Sequence, residues 1–258
     1  MASTETPPDE KMSFTEHLEE LRRRLIICLV AVGIGFILSS SFAERLFALL
    51  MRPLIQVMPA GDKLVFTALP EAFFTYFKLA LIAGVAFASP VIIYQAWCFI
   101  APGLYERERR ALLPIVLLST VFFLGGALFG YFVVFPFGFK FFISFAGNHI
   151  RVLPTLRESL GFATWLLLVF GIVFETPIVI LILARLGIVN AAKLRRNQKY
   201  AVLIIFIIAA ILTPPDLVSQ LLMAVPLLIL YEMGIWIAKF FGKKPSTQSE
   251  EQVTESAS

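Results

Sequence analysis

Leu160 to Ala184 reads L-G-F-A-T-W-L-L-L-V-F-G-I-V-F-E-T-P-I-V-I-L-I-L-A, a run in which Glu175 is the sole ionisable side chain. As an α-helix it would be about 37 Å long, enough to cross a hydrocarbon core of about 30 Å. A charge at the centre of such a helix costs roughly 3 kcal/mol, so runs with few or no charges mark membrane spans. Five more lie at 25–43, 72–99, 112–135, 198–213 and 216–236. The whole chain agrees: 59% of its 258 residues are hydrophobic and 16% are charged, with mean hydropathy +0.85. Soluble domains usually carry about 25% charged residues. The expectation is an all-α membrane protein with six transmembrane helices.

An even number of spans puts both ends of the chain on one side, and Lys and Arg in the connections decide which. The side holding the termini collects 15 of them, including Arg22, Arg23, Arg24, Arg107, Arg109, Arg110, Arg195 and Arg196, against 6 on the other side. Both termini are therefore expected in the cytoplasm. The net charge of +4 does not point to nucleic acid, because the basic residues sit beside apolar runs and form no single stripe.

Residues 1–12 are polar and acid-containing, unlike the basic start of a signal peptide, so the first apolar run is expected to be retained. That tail and the polar segment 241–258 read as disordered, leaving a cytoplasmic amphipathic helix at 13–24 and a six-span domain at 25–240. The outer connections 44–71 and 136–159 are long and apolar, and read as loops packed into a periplasmic cap. The fifth run is short, about 21 Å from Tyr200 to Thr213. Pro90, Pro114, Pro177 and Pro226 each remove a helical hydrogen bond and bend their spans, which predicts a concave wall. Cys28 and Cys98 lie within apolar runs, form no C-x-x-C pair and read as small buried hydrophobes.

The amphipathic segment holds H-L-E-E-L-R-R-R-L, His17 to Leu25. Ser13 followed by Glu16 is a capping-box pattern, so a helix should begin at Phe14, with Phe14, Leu18, Leu21 and Leu25 on one apolar face. Glu20 and Arg24 stand at i,i+4 spacing, and local pairing, worth about 0.2–0.5 kcal/mol, is one reading of these charges. A second mixed cluster, F-I-A-P-G-L-Y-E-R-E-R-R from Phe99 to Arg110, lies on the same side, where Glu106 and Arg110 can also pair locally. The other reading is that carboxylates from the two clusters act together on a cationic ligand.

H-L-E-E-L-R-R-R-L, F-I-A-P-G-L-Y-x-x-E-R-R, F-E-T-P at Phe174–Pro177 and L-T-P-P-D at Leu212–Asp216 together resemble the TatC family of twin-arginine protein translocation, in order and at that family's spacing. The resemblance covers about residues 13–240. It implies a receptor in the bacterial cytoplasmic (inner) membrane that binds twin-arginine signal peptides of folded cargo. It also implies a homo-oligomer within a hetero-complex containing the single-span partners TatB and TatA, with passage driven by the proton-motive force. By position, Glu20 and Glu108 match the acids of the signal-binding site, with Arg22, Phe99 and Tyr105 in the same strings. No cofactor or metal is implied.

The chemistry is consistent with paired acids. Adjacent arginines in an extended peptide point to opposite faces, so one carboxylate does not easily satisfy both. A guanidinium forks onto a carboxylate in a planar bidentate pair that lysine does not reproduce, which would separate Arg-Arg from Lys-Lys. Glu19 and Glu20 differ by about 100° around a helix, so at most one of them faces a given groove.

Glu175 lies about 15 Å from the cytoplasmic end of its span, near mid-bilayer. There an isolated carboxylate is expected to be neutral and to donate a hydrogen bond. Its partner is either a neighbouring helix or a carbonyl freed by Pro177, or else a polar group on a partner helix or inserted cargo. Lys78, about 10 Å inside its span, reads as a snorkelling residue. Thr213 and Gln220 flank the T-P-P-D turn and are candidates for contact with a partner span, while Asp216 could cap the last helix. A proton-coupled small-solute transporter using Glu175 is the alternative function, although only one acid lies at midplane. An enzyme is not expected: His17 and His149 are the only histidines and stand outside the spans.

Overall fold

The computed structural model describes residues 14–58, 64–65, 67–100, 112–144, 153–212 and 217–242. Apart from one isolated bridge between Val65 and Thr155, the regular structure among them is helical. Helix α1 (Phe14–Ser40) carries the amphipathic segment and the first apolar run as one continuous rod. It meets α2 (Ala43–Val57) at an 85° bend. Helix α3 (Glu71–Ile100) returns alongside α1. Next come α4 (Leu112–Phe129), a π-helical turn (Gly130–Val134) and α5 (Phe135–Ser144). Helices α6 (Leu156–Phe174) and α7 (Thr176–Arg185) meet at Glu175. The short α8 (Ala191–Arg196) leads to α9 (Gln198–Leu212) and α10 (Leu217–Phe241).

Four helical segments are long and apolar enough to cross a membrane: Glu71–Phe99, Leu113–Phe141, Leu156–Arg185 and Leu217–Phe241. The bent pair α1–α2 counts as a fifth when taken together. Helix α9 is apolar but short, as its run suggested, so the count by length and composition is four to five.

Two expectations need correction. The stretch 44–71, read as loop, contains α2, whose Leu50, Met51 and Leu54 are buried with Val134, Phe135 and Phe170 in the main core. The second outer connection likewise begins as helix, because α5 extends to Ser144. Nor does every proline remove a helical hydrogen bond: Pro114 sits in the first turn of α4, where a missing N–H breaks no intrahelical bond, while Pro90 and Pro226 lie inside α3 and α10.

Three prolines have their freed carbonyl taken by a side chain. Pro53 cannot donate to Leu49, and the Tyr131 hydroxyl donates to the Leu49 carbonyl at 2.6 Å. Pro90 frees Ala86, whose carbonyl accepts from Ser89 Oγ at 2.7 Å. Pro177 frees Val173, whose carbonyl accepts from Thr176 Oγ1 at 2.6 Å. In lipid a backbone group without a partner is costly, and these hydroxyls remove that cost.

Helices α1 and α3 touch backbone to backbone. A Cβ on Gly35 would lie 2.6 Å from the Gly84 carbonyl oxygen, and one on Gly84 would lie 2.6 Å from the Phe36 nitrogen. Small residues let membrane helices approach this closely. Gly84→Val is therefore expected to destabilise the protein by about 1–3 kcal/mol, the usual cost of overpacking, read as a lower melting temperature in detergent.

Candidate functional site

The crossing at Gly35 and Gly84 fixes the face that α1 turns toward α3. His17, Glu20, Arg24 and Cys28 recur at spacings of three and four residues and are half-buried along that face. The apolar stripe of Leu18, Leu21 and Leu25 points outward instead, 48%, 43% and 56% exposed. The helix is thus polar toward its neighbour and apolar toward its surroundings, the inverse of a helix on a soluble domain.

On the inward face Glu20 and Arg24 form the expected i,i+4 ion pair. Arg24 Nε donates to Glu20 Oε1 at 3.0 Å, and its Nη2 donates to the same oxygen. Arg24 Nη1 reaches across to Gln95 Oε1 on α3 at 3.4 Å. One turn away the His17 ring stacks on Phe99, with centroids 4.4 Å apart and planes 21° from parallel. Glu20 Oε2 is buried and has no hydrogen-bond partner among the described residues. Leaving such an oxygen unsatisfied costs about 1–3 kcal/mol, which an incoming donor would recover. Glu19 is exposed, so Glu20 is the member of the pair that faces the groove. Arg22 is also exposed. Tyr105 and Glu108 lie outside the described residues.

The second polar point is the joint between α6 and α7. Both oxygens of Glu175 are buried and lack a hydrogen-bond partner among the described residues. The carbonyl freed by Pro177 is occupied by Thr176, which removes one of the structural partners expected for Glu175. The polar neighbour is Ser119 of α4, fully buried, whose Oγ accepts from Trp97 Nε1 of α3 at 3.0 Å. Because Ser119 accepts from the indole, its own proton remains available to the carboxylate. Glu175 thus stands at the end of a polar chain that starts on α3 and crosses α4.

Comparison with known proteins bears on both points. Residues 16–226 match the family model described as Sec-independent protein translocase protein (TatC). The chain belongs to the TatC family. The TatC protein of Desulforapulum autotrophicum is 52% identical over 243 residues, covering 94% of this chain and 90% of that one. That of Escherichia coli is 37% identical, covering 91% of each. A crystal structure described as the twin-arginine translocase receptor TatC in DDM aligns with TM-score 0.78 and 39% identity, covering 87% of this chain and all of that one. The chain is therefore a multi-pass membrane protein and a component of Sec-independent, twin-arginine protein transport, which favours that reading over the solute transporter. The family name denotes a translocase component, not an enzyme.

In this TatC-family chain Gln220 is already used within the molecule: its Nε2 donates to the Phe206 carbonyl at 3.1 Å and ties α10 to α9. Thr213 and Asp216 lie outside the described residues. Sequence reasoning missed Glu71. Its Oε2 accepts from Thr67 N (2.7 Å), Thr67 Oγ1 (3.1 Å) and Ala68 N (3.3 Å), and its Oε1 accepts from Arg157 N at 2.9 Å. One carboxylate thereby clasps the start of α3 to the start of α6, next to the backbone pairing of Val65 with Pro154 and Leu156. An acid at the first helical turn after a proline was the available signal, but its partner lies 86 residues away. Glu71→Ala should lower the melting temperature more than Glu71→Gln, whose amide keeps one acceptor oxygen. Equal melting of both variants and the parent protein would count against the clasp.

Proposed function

We propose that the chain is the receptor and core subunit of the twin-arginine translocase, and that Glu20 and Glu108 jointly hold the paired arginines of an export signal. The observation that carries this reading is Glu20 itself, a half-buried carboxylate with one oxygen engaged by Arg24 and the other without a donor among the described residues. An arriving guanidinium supplies the missing donors without first breaking the Arg24 pair. Phe99, stacked on His17 at the end of α3, walls the same groove. Glu108 is eight residues beyond Ile100, so at most about 29 Å of extended chain separates it from the end of α3 beside Glu20. Tyr105 lies on the same segment, and exposed Arg22 holds the helix at the headgroups.

The remaining features follow from this reading. The protein crosses the bacterial cytoplasmic membrane six times with both termini inside, α9 spanning a thinned region, and α2 with the Glu71 clasp forms a periplasmic cap. Glu175, Thr213 and Gln220 are the polar points for the single-span subunits TatA and TatB, within an oligomeric complex that uses the proton-motive force and performs no catalysis of its own.

The test is equilibrium binding of a labelled signal peptide to the purified protein in detergent, with Arg-Arg and Lys-Lys forms compared. The expected preference is tenfold or more for Arg-Arg, because a bidentate fork gives way to a single-point contact. Equal affinity for the two peptides would overturn the proposal.

A further inference from the structure

The end of the bundle opposite Glu20 holds a second charged feature that signal binding does not use. A cavity of about 520 Å³ opens where α3 and α6 begin, lined among others by Glu71, Phe74, Thr75, Lys78 and Arg157. Among the described residues neither Lys78 nor Arg157 takes part in an ion pair. Lys78 leans across from α3 to α6: a Cβ added to Gly161 would lie 3.9 Å from its Nζ. The acid in the lining offsets one of these charges but forms no ion pair with either cation, its two oxygens being held by four hydrogen bonds from Thr67, Ala68 and Arg157 N. The lining thus has two cations against one engaged carboxylate, a net charge of +1. The carboxylate is held by its own hydrogen bonds, while among the described residues neither cation has an acidic partner.

Phe74 of the lining and Phe73 and Phe77 beside it form an apolar rim, 62%, 68% and 48% exposed, on the first two turns of a candidate membrane span. Lys78 stands about 10 Å along that helix from Glu71, and its long side chain can reach back toward the headgroup level at the start of the span. We infer that Lys78 and Arg157 form a binding site for the phosphodiester of a phospholipid whose headgroup carries a net negative charge, with its acyl chains lying along the Phe73–Phe77 rim. A guanidinium and an ammonium from two helices can contact different phosphate oxygens, and the single negative charge matches the net +1 of the lining. Free inorganic phosphate would satisfy the cations but leave the apolar rim uncovered. Snorkelling alone accounts for Lys78 but gives no reason for Arg157 to share the same cavity.

Native mass spectrometry of the full-length protein, exchanged into detergent with phosphatidylglycerol or phosphatidylcholine, tests the inference. The unaltered protein should retain phosphatidylglycerol about tenfold more strongly than phosphatidylcholine. Lys78→Gln with Arg157→Gln should remove that preference, while Lys78→Arg keeps it. Melting temperatures in the same detergent separate the two sources of phosphate: phosphatidylglycerol should raise the melting temperature, and inorganic phosphate at matched concentration should leave it unchanged. Equal retention of both lipids by the unaltered protein, or equal stabilisation by inorganic phosphate, would overturn the inference without recourse to any variant. An undiminished lipid preference in the double variant would do the same.

Discussion

Replacing Glu20 with alanine is expected to weaken binding of a twin-arginine peptide at least a hundredfold, about 2.8 kcal/mol at 1.4 kcal/mol per factor of ten. Two effects add. The variant removes charge-assisted hydrogen bonds to the ligand, each worth about 1.5–3 kcal/mol. It also strands Arg24, whose Nε and Nη2 lose their acceptor, leaving a positive group beside the place where a second guanidinium must sit. Glu20→Gln should fall between the two, because the amide keeps an acceptor but loses the charge. A simple structural role for the Glu20–Arg24 pair predicts a different pattern, since a pair of this kind contributes only about 0.2–0.5 kcal/mol to the helix. Peptide titration alongside thermal melting separates these cases: affinity should collapse while the melting temperature changes little.

The second large effect concerns Glu175. Alanine at this position should weaken co-purification of the single-span partner subunits about tenfold or more, whereas glutamine, which keeps hydrogen-bonding capacity without charge, should preserve most of it. The reason is the pair of buried carboxylate oxygens, which have no hydrogen-bond partner among the described residues and stand next to a serine that has a single proton to give. That proton can satisfy only one oxygen, so the carboxylate burdens the isolated protein until a partner supplies the remaining contact. Glu175→Leu should therefore raise the melting temperature of the isolated protein while lowering partner recovery. A purely structural acid would give the opposite sign for melting. Indifference of partner recovery to both alanine and glutamine would contradict this role.

The four long spans were legible because the cost of burying charge leaves long runs with few charges in any chain that crosses lipid, and even the shortness of α9 was visible in its run. Helix α2 was not: Glu44, Arg45, Arg52 and Pro53 break up its apolar pattern, and only the Tyr131 bond to Leu49 shows how the proline is accommodated. The apolar stripe of α1 was read correctly as a stripe, but periodicity does not say whether such a face meets protein or lipid, and here it points outward. Glu20 and Glu175 stood out as charges beside or within apolar runs. Their surroundings did not, because Gln95 is 71 residues from Arg24 and the Trp97–Ser119 bond joins two separate helices. Glu71 was passed over for the same reason: its acceptor role depends on where a distant helix places a backbone N–H.

One measurement bears most directly on the central claim that two carboxylates hold one export signal. A photoreactive residue is placed at position 20 or at position 108, and a labelled signal peptide is added in Arg-Arg or Lys-Lys form. The account predicts that both positions label the Arg-Arg peptide close to its paired arginines and that both lose most of the label with Lys-Lys. Labelling from only one of the two positions, or equal labelling of the two peptides, would contradict it.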